Sequence, residues 1–135
     1  MAEPAHRVLD TSALLALRSN GPGADRVEQL LTAARRGRGR LLVSFMTRME
    51  LLYLIRRDEG EEAASTALRL VDSFPVAWVT CEPAILNAAA SLKASGGLSV
   101  ADSWIAATAL VRGAVLVHRD PEYTALTQVA QESLL

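Results

Sequence analysis

The sequence predicts a three-layer α/β/α sandwich with a mostly parallel central sheet. Three observations lead there. Short apolar runs alternate with helical stretches, and strands separated by helices pair in parallel. Two of the runs, Arg40 to Ser44 and Ala114 to His118, have the unbroken apolar character of strands covered on both faces. Ala and Leu dominate and aromatic residues make up only 4% of the chain, so helices should prevail.

The elements follow in order. His6 to Leu9 reads as a short first strand. Thr11 to Arg18 reads as a helix, broken at Asn20-Gly21-Pro22-Gly23. Ala24 to Arg36 is amphipathic, with Val27, Leu30, Leu31 and Ala34 spaced for one face. Arg40 to Ser44 is the second strand. Met46 to Arg57 and Glu61 to Phe74 are two helices parted near Asp58-Glu59-Gly60. Val76 to Thr80 is the third strand. Pro83 to Ala94 is a helix that stops at Gly96-Gly97. Ser99 to Arg112 is another, stopped by Gly113, and Ala114 to His118 is the fourth strand. A last short helix begins at Pro121, and the tail to Leu135 supplies one edge strand.

At 135 residues the chain is expected to form one domain, 1–135, with a sizeable core. Half of it is hydrophobic and 21% is charged, a globular balance. The net charge of −1 gives no global attraction to nucleic acid or to a membrane, so any RNA must be steered by a local patch. With the single cysteine, Cys81, neither a disulfide framework nor a cysteine-rich zinc site can form. Cys81 reads as a small buried residue without chemistry. The segment from Met1 to Arg7 lacks the apolar core of a signal peptide. No apolar run approaches the ~20 residues needed to cross a bilayer. The cytoplasm is the expected location.

Four acids stand where helices begin: Asp10, Glu50, Asp102 and Asp120. Strand C-termini and helix N-termini share one edge of an open α/β sheet, so acids far apart in sequence can converge there. Each has a structural explanation. Thr47-x-x-Glu50 fits a capping box, Ser99-x-x-Asp102 is close to one, Asp120-Pro121 is a capped helix start, and Asp10 can cap the helix after it. Ser, Thr and Asn cap equally well, however, and Thr11, Ser12, Thr47, Ser99 and Ser103 already stand beside the acids. The carboxylates are surplus to capping. A cluster of them without basic partners points to a hard divalent cation.

The chain resembles the PIN-domain ribonucleases, in particular the VapC-type toxins of bacterial toxin–antitoxin pairs. Four segments carry the resemblance. They are Val8-Leu9-Asp10-Thr11-Ser12-Ala13-Leu14, Thr47-Arg48-Met49-Glu50-Leu51, Leu98 through Ala109 around Ala101-Asp102-Ser103-Trp104, and His118-Arg119-Asp120-Pro121-Glu122-Tyr123. The resemblance implies that Asp10, Glu50, Asp102 and Asp120 are the catalytic acids. Asp10 and Asp102 would be the central ligands of Mg²⁺ or Mn²⁺, with Asp120 close by. Glu50 would bind directly or through water, and Glu122 would be a peripheral fifth acid. The hydroxyls of Thr11 and Ser12 would touch the substrate phosphate or orient Asp10. The implied reaction is hydrolysis of RNA to a 3′-hydroxyl and a 5′-phosphate. A cognate antitoxin and a homodimer are implied as well. The chain departs from the family at His118, where Thr or Ser usually stands. That imidazole could contact RNA, protonate a leaving oxygen, or simply hydrogen-bond to backbone at the strand end.

The chemistry suits the residues present. Mg²⁺ and Mn²⁺ favour carboxylate and water oxygens, and such a site requires no histidine base in a chain with only His6 and His118. Arg35, Arg36, Arg38 and Arg40 form the densest basic run, readable either as an RNA-steering patch or as a solvated helix end. Arg119, beside Asp120, and Arg48, near Glu50, are better-placed single candidates for RNA contact. Trp78 and Trp104 read as core, and Tyr53 as core or interface. Two alternatives stand beside the toxin: a housekeeping nuclease of the same type without an antitoxin, and a non-catalytic Mg²⁺-binding α/β signalling module. A receiver-like module would place paired acids early and a Lys after a late strand, and neither is present. A phosphatase with an aspartyl nucleophile would show Asp-x-Asp, which Asp10-Thr11-Ser12 lacks.

Overall fold

The computed structural model describes residues 6–135. Met1 to Ala5, most of the segment read for a signal peptide, lies outside the described residues. The strands are β1 (His6–Leu9), β2 (Arg40–Ser44), β3 (Val76–Val79), β4 (Val115–His118) and β5 (Gln131–Ser133). The helices are α1 (Thr11–Arg18), α2 (Ala24–Arg35), α3 (Phe45–Glu59), α4 (Glu61–Asp72), α5 (Pro83–Ala94) and α6 (Val100–Arg112). A 3₁₀ turn spans Pro121–Tyr123.

All the strands pair in parallel, in the order β3-β2-β1-β4-β5. Alternate residues of each strand face opposite helix layers. Val8, Leu42 and Leu116 pack against Ile85, Ala89 and Leu92 of α5 and Ile105, Ala106 and Ala109 of α6. Leu9, Leu41, Val43 and Val117 pack against Leu14, Val27, Leu31, Leu51, Ile55 and Leu68 from α1 to α4. Those two apolar faces account for the two layers. No helix of the described residues is long and apolar enough to cross a membrane.

The chain runs outward from β1 to β2 to β3, then returns through α5 and α6 to β4 on the other side of β1. The direction of winding therefore reverses between β1 and β4, and a crevice opens beyond their carboxyl ends. Asp10 follows β1 directly, and its N–H donates to Val117 O at 2.9 Å.

Two details depart from the sequence reading. Helix α3 begins one turn earlier than a Thr47–Glu50 capping box requires. Its cap is Ser44, whose Oγ accepts from Met46 N at 3.1 Å. Thr47 is thereby carried into the helix and fully buried. The tail is also more firmly seated than its composition implies. Arg26 Nε pairs with Glu132 at 2.6 Å, and Leu134 packs on α2 beside Gly23. Gly23 has φ +92°, and a Cβ there would come within 2.8 Å of Leu134 Cβ, so both its backbone and its neighbour demand glycine.

Candidate active site

Asp10, Asp102 and Asp120 are delivered to the crevice by the end of a strand or the first turn of a helix, and Glu50 by the second turn of α3. Asp10 caps α1, its Oδ2 accepting from Ser12 N at 2.9 Å and from the Ser12 hydroxyl. Ser12 Oγ in turn accepts from Arg119 N at 2.8 Å, which ties the loop after β4 to the loop after β1. Asp102 sits in the first turn of α6. Its N–H donates to the cap Ser99 Oγ at 3.1 Å, as the sequence predicts, but its carboxylate turns into the crevice. Asp120 caps the 3₁₀ turn, accepting from Glu122 N at 2.9 Å. Capping and acid clustering thus coexist.

Carboxylate oxygens of Asp102, Asp120 and Glu122 lie within 4.8 Å of one another. Asp10 joins them through a residue that the sequence reading had given no role. Tyr123 is fully buried, and its hydroxyl lies 2.7 Å from Asp10 Oδ1 and 2.9 Å from Asp102 Oδ1. The phenol has one proton, so it serves one carboxylate at a time. Nothing local distinguishes Tyr123 from a core aromatic. Its only sequence signal is a phenol three residues after Asp120.

Glu50 is held by α1. Thr11 Oγ1 donates to Glu50 Oε1 at 2.7 Å and stands 3.0 Å from Thr47 Oγ1. Among the described residues, no ion pair involves Asp10, Glu50, Asp102, Asp120 or Glu122.

Crowding and burial act on the acids together. Burial holds Asp10 above the usual carboxylate range, against hydrogen bonds from Ser12 and Tyr123 that lower it. Burial also raises Glu50, with the charges of Asp10 and Asp120 adding to the effect and the Thr11 hydroxyl opposing it. Asp102 is pushed up to about 7 by burial first and the Asp10 charge second. The Tyr123 phenol is raised by burial and by both neighbouring aspartates, so it remains a donor.

Several residues hold positions that the sequence did not reveal. His118 is fully buried. Its Nδ1 accepts from Asp120 N at 3.1 Å and its Nε2 faces Gln131 Oε1 at 2.9 Å. It therefore neither meets RNA nor reaches a leaving oxygen; it takes the backbone-bonded role. Arg48 is committed to Asp72, at 2.6 and 2.9 Å, with its guanidinium 5.2 Å over the Trp78 ring. Trp78 and Trp104 flank the core half-buried. Tyr53 is exposed rather than core, and so is Cys81, because β3 ends at Val79 and leaves Cys81 in the following loop. The Arg119 side chain lies over Gly21 and shares a hollow of about 510 Å³ with Ser12, Ser19 and Glu59.

The run Arg35 to Arg40 ends on the first residue of β2, which pairs with His6. That is the amino edge of the sheet, roughly 13 Å of strand away from Asp10. The basic run therefore does not border the acids.

A wholly parallel sheet with acids gathered at its carboxyl edge defines the class. The PIN-domain family pattern matches residues 7–129, and the chain belongs to that family. Within the family it is VapC-like. It is similar to a chain of VapBC-1 from nontypeable Haemophilus influenzae, with 26% identity, 96% of this chain and 98% of that one covered, and a TM-score of 0.74. DNA-bound VapBC from Salmonella typhimurium gives 18% identity, full coverage of both chains and a TM-score of 0.76. VapC20 from Mycobacterium tuberculosis, a toxin that cleaves the sarcin-ricin loop, gives 19% identity, coverage of 90% and 95%, and a TM-score of 0.69. No curated protein matches the chain in sequence.

Proposed function

We propose that this protein is a metal-dependent endoribonuclease and the toxin of a toxin–antitoxin pair. One observation carries the reading: several acids share the crevice of a PIN domain with no cationic side chain paired to them among the described residues. The donor set is all oxygen, which fits Mg²⁺ or Mn²⁺. Asp102, Asp120 and Glu122 would hold the ion, with Asp10 contributing through Oδ1, the oxygen that Ser12 does not occupy. Bound there, the ion supplies charge neutralisation at the phosphate and lowers the pKa of a water.

The chain's own residues do the rest. Thr11 orients Glu50, whose Oε2 is left to accept the proton of an attacking water. Ser12 fixes Asp10 and the Arg119 backbone, so it positions acids rather than binding phosphate. Arg119 offers the guanidinium for an RNA phosphate beside the pocket. Attack on phosphorus leaves a 3′-hydroxyl and a 5′-phosphate.

The antitoxin reading draws on the VapBC assemblies among the structural neighbours and on a cleft in this chain. Leu14, Leu17, Leu51, Ile55, Leu70 and Phe74 line an apolar cleft of about 200 Å³ between α1, α3 and α4. An amphipathic segment of the antitoxin would lie there. A homodimer would use the exposed Leu86 and Val100 beside Trp104. The expected compartment is the cytoplasm.

The test is cleavage of RNA by purified protein in Mg²⁺ or Mn²⁺, its abolition by EDTA, and growth arrest on expression. Cleavage unchanged in EDTA sinks the metal mechanism. Cleavage without growth arrest or a copurifying neighbour returns the protein to a housekeeping nuclease. Metal binding without cleavage leaves the signalling module.

A further inference from the structure

We infer that Tyr123 is a positioning residue whose phenol O–H bridges Asp10 and Asp102, keeping the two carboxylates together until a divalent cation takes over. The inference deepens the proposed metal-dependent reading and rests on it for its second half. Tyr123 is not merely an aromatic filling a gap. Phenylalanine would fill the same space, and a buried hydroxyl needs a partner. This one has two, both acids, at 2.7 and 2.9 Å.

The phenol is aimed by a frame that does not depend on the acids. Gln131 Nε2 donates to Tyr123 O at 2.8 Å and to Leu126 O at 2.6 Å. The same side chain's Oε1 faces His118 Nε2 at 2.9 Å. The His118 ring packs 4.9 Å from the Tyr123 ring and accepts Asp120 N–H on Nδ1. The seated tail thus fixes both the Tyr123 backbone and its ring. On the acid side, Ser12 occupies Asp10 Oδ2, which leaves Oδ1 turned to the phenol. The donor sits where two negative charges would otherwise face each other alone. A cation drawn to Oδ1 of both acids would compete with that donor.

The test is thermal melting of four proteins: wild type, Tyr123→Phe, Asp102→Asn and the double variant. Each is melted in EDTA and again with MgCl₂ or MnCl₂. In EDTA, Tyr123→Phe is expected to melt about 3–8 °C below wild type, since the donor is lost and the repulsion is not. The loss should largely vanish in the Asp102→Asn background, where one of the two charges is gone. The cation should raise the melting point of Tyr123→Phe more than that of wild type, because the competing donor is absent.

Equal melting of wild type and Tyr123→Phe in EDTA overturns the bridge. So does a full, additive loss in the Asp102→Asn background, which would mark the phenol as a partner of Asp10 alone. A cation effect no larger in Tyr123→Phe than in wild type overturns the handover. If the cation raises neither protein, the metal reading fails, while the EDTA series still decides the bridge. If Tyr123→Phe alone does not fold, the bridge requires that the double variant does; an unfolded double variant overturns it.

Discussion

Thr11 Oγ1 stands 3.0 Å from Thr47 Oγ1, and the contact joins α1 to α3 directly beneath Glu50. Thr47 is fully buried, and Thr11 donates its hydroxyl hydrogen bond to Glu50 Oε1 at 2.7 Å. The two hydroxyls form a short relay that ends on a carboxylate.

The relay predicts opposite consequences for two substitutions of similar shape. Thr47→Val removes the outer hydroxyl and should cost about 1 kcal/mol of stability, leaving the pH profile of cleavage nearly unchanged. Thr11→Val removes the donor that holds the Glu50 carboxyl down. The acid limb of the cleavage profile should then move to higher pH. An unshifted limb in a folded Thr11→Val protein would dismiss Glu50 as the titrating group.

The crowded acids fix the sign of the pH dependence. Asp102 titrates near 7 in the fold, against a reference of 3.8, and Asp10 and Glu50 are also raised. The native state therefore holds more protons than the unfolded state over that interval, and stability falls as pH rises through it. Metal-free protein should melt highest near the bottom of the window and lose stability towards neutrality. Asp102→Asn should flatten the curve. With Mg²⁺ present the trend should weaken or reverse, because the cation needs deprotonated ligands. A melting point in EDTA that climbs from pH 5 to pH 8 would contradict the arrangement.

Charge rather than shape should also govern catalysis. Asp10→Asn and Asp102→Asn change volume little and should each abolish RNA cleavage while the metal-free protein stays as stable or becomes more so. The check pairs a cleavage assay with melting in EDTA. Full activity in folded Asp102→Asn would remove that carboxylate's charge from the reaction.

The strands, the layers and the places where acids enter were legible because periodicity and capping are local signals. Val8 and Leu9 facing opposite layers follows from a period of two. What escaped was decided by neighbours distant in sequence. Ser44 and Thr47 are both good caps, and only the end of β2 selects Ser44. Glu122 looks peripheral until the 3₁₀ turn folds it back beside Asp102. Tyr123 carries no sign of its role until Asp10 and Asp102 come within reach of its hydroxyl. His118 was open to three readings, and Gln131 from the last strand selects one.

The basic run shows the same limit and yields a prediction. Arg35, Arg36, Arg38 and Arg40 are exposed, without ion pairs among the described residues, at the amino edge of the sheet. Replacing all four with Gln should leave cleavage of a dinucleotide unchanged, since its single phosphate occupies the pocket and leaves none for the edge. Binding of a long RNA should lose about one unit of salt slope for each phosphate contact removed. Equal loss on short and long substrates would place the run at the pocket after all.

Docking and chemistry are separable in the proposed toxin. Leu70 is 58% exposed on the rim of the cleft between α1, α3 and α4, with Leu51 and Ile55 buried at its floor. An antitoxin segment laid there would bury Leu70 far from Asp10 and Asp102. Asp10→Asn should therefore be harmless when expressed alone yet still copurify with the protein of the neighbouring gene. Leu70→Glu should do the reverse. It replaces a surface residue, so the fold and RNA cleavage should persist. Binding should weaken about tenfold to a hundredfold, from the apolar burial of one leucine at 1.4 kcal/mol per decade. Cells carrying Leu70→Glu together with the partner should then stop growing at partner levels that protect cells carrying the wild type. If Leu70→Glu binds its partner as tightly as wild type does, the cleft is not where the antitoxin lies, even if the protein proves to be a toxin.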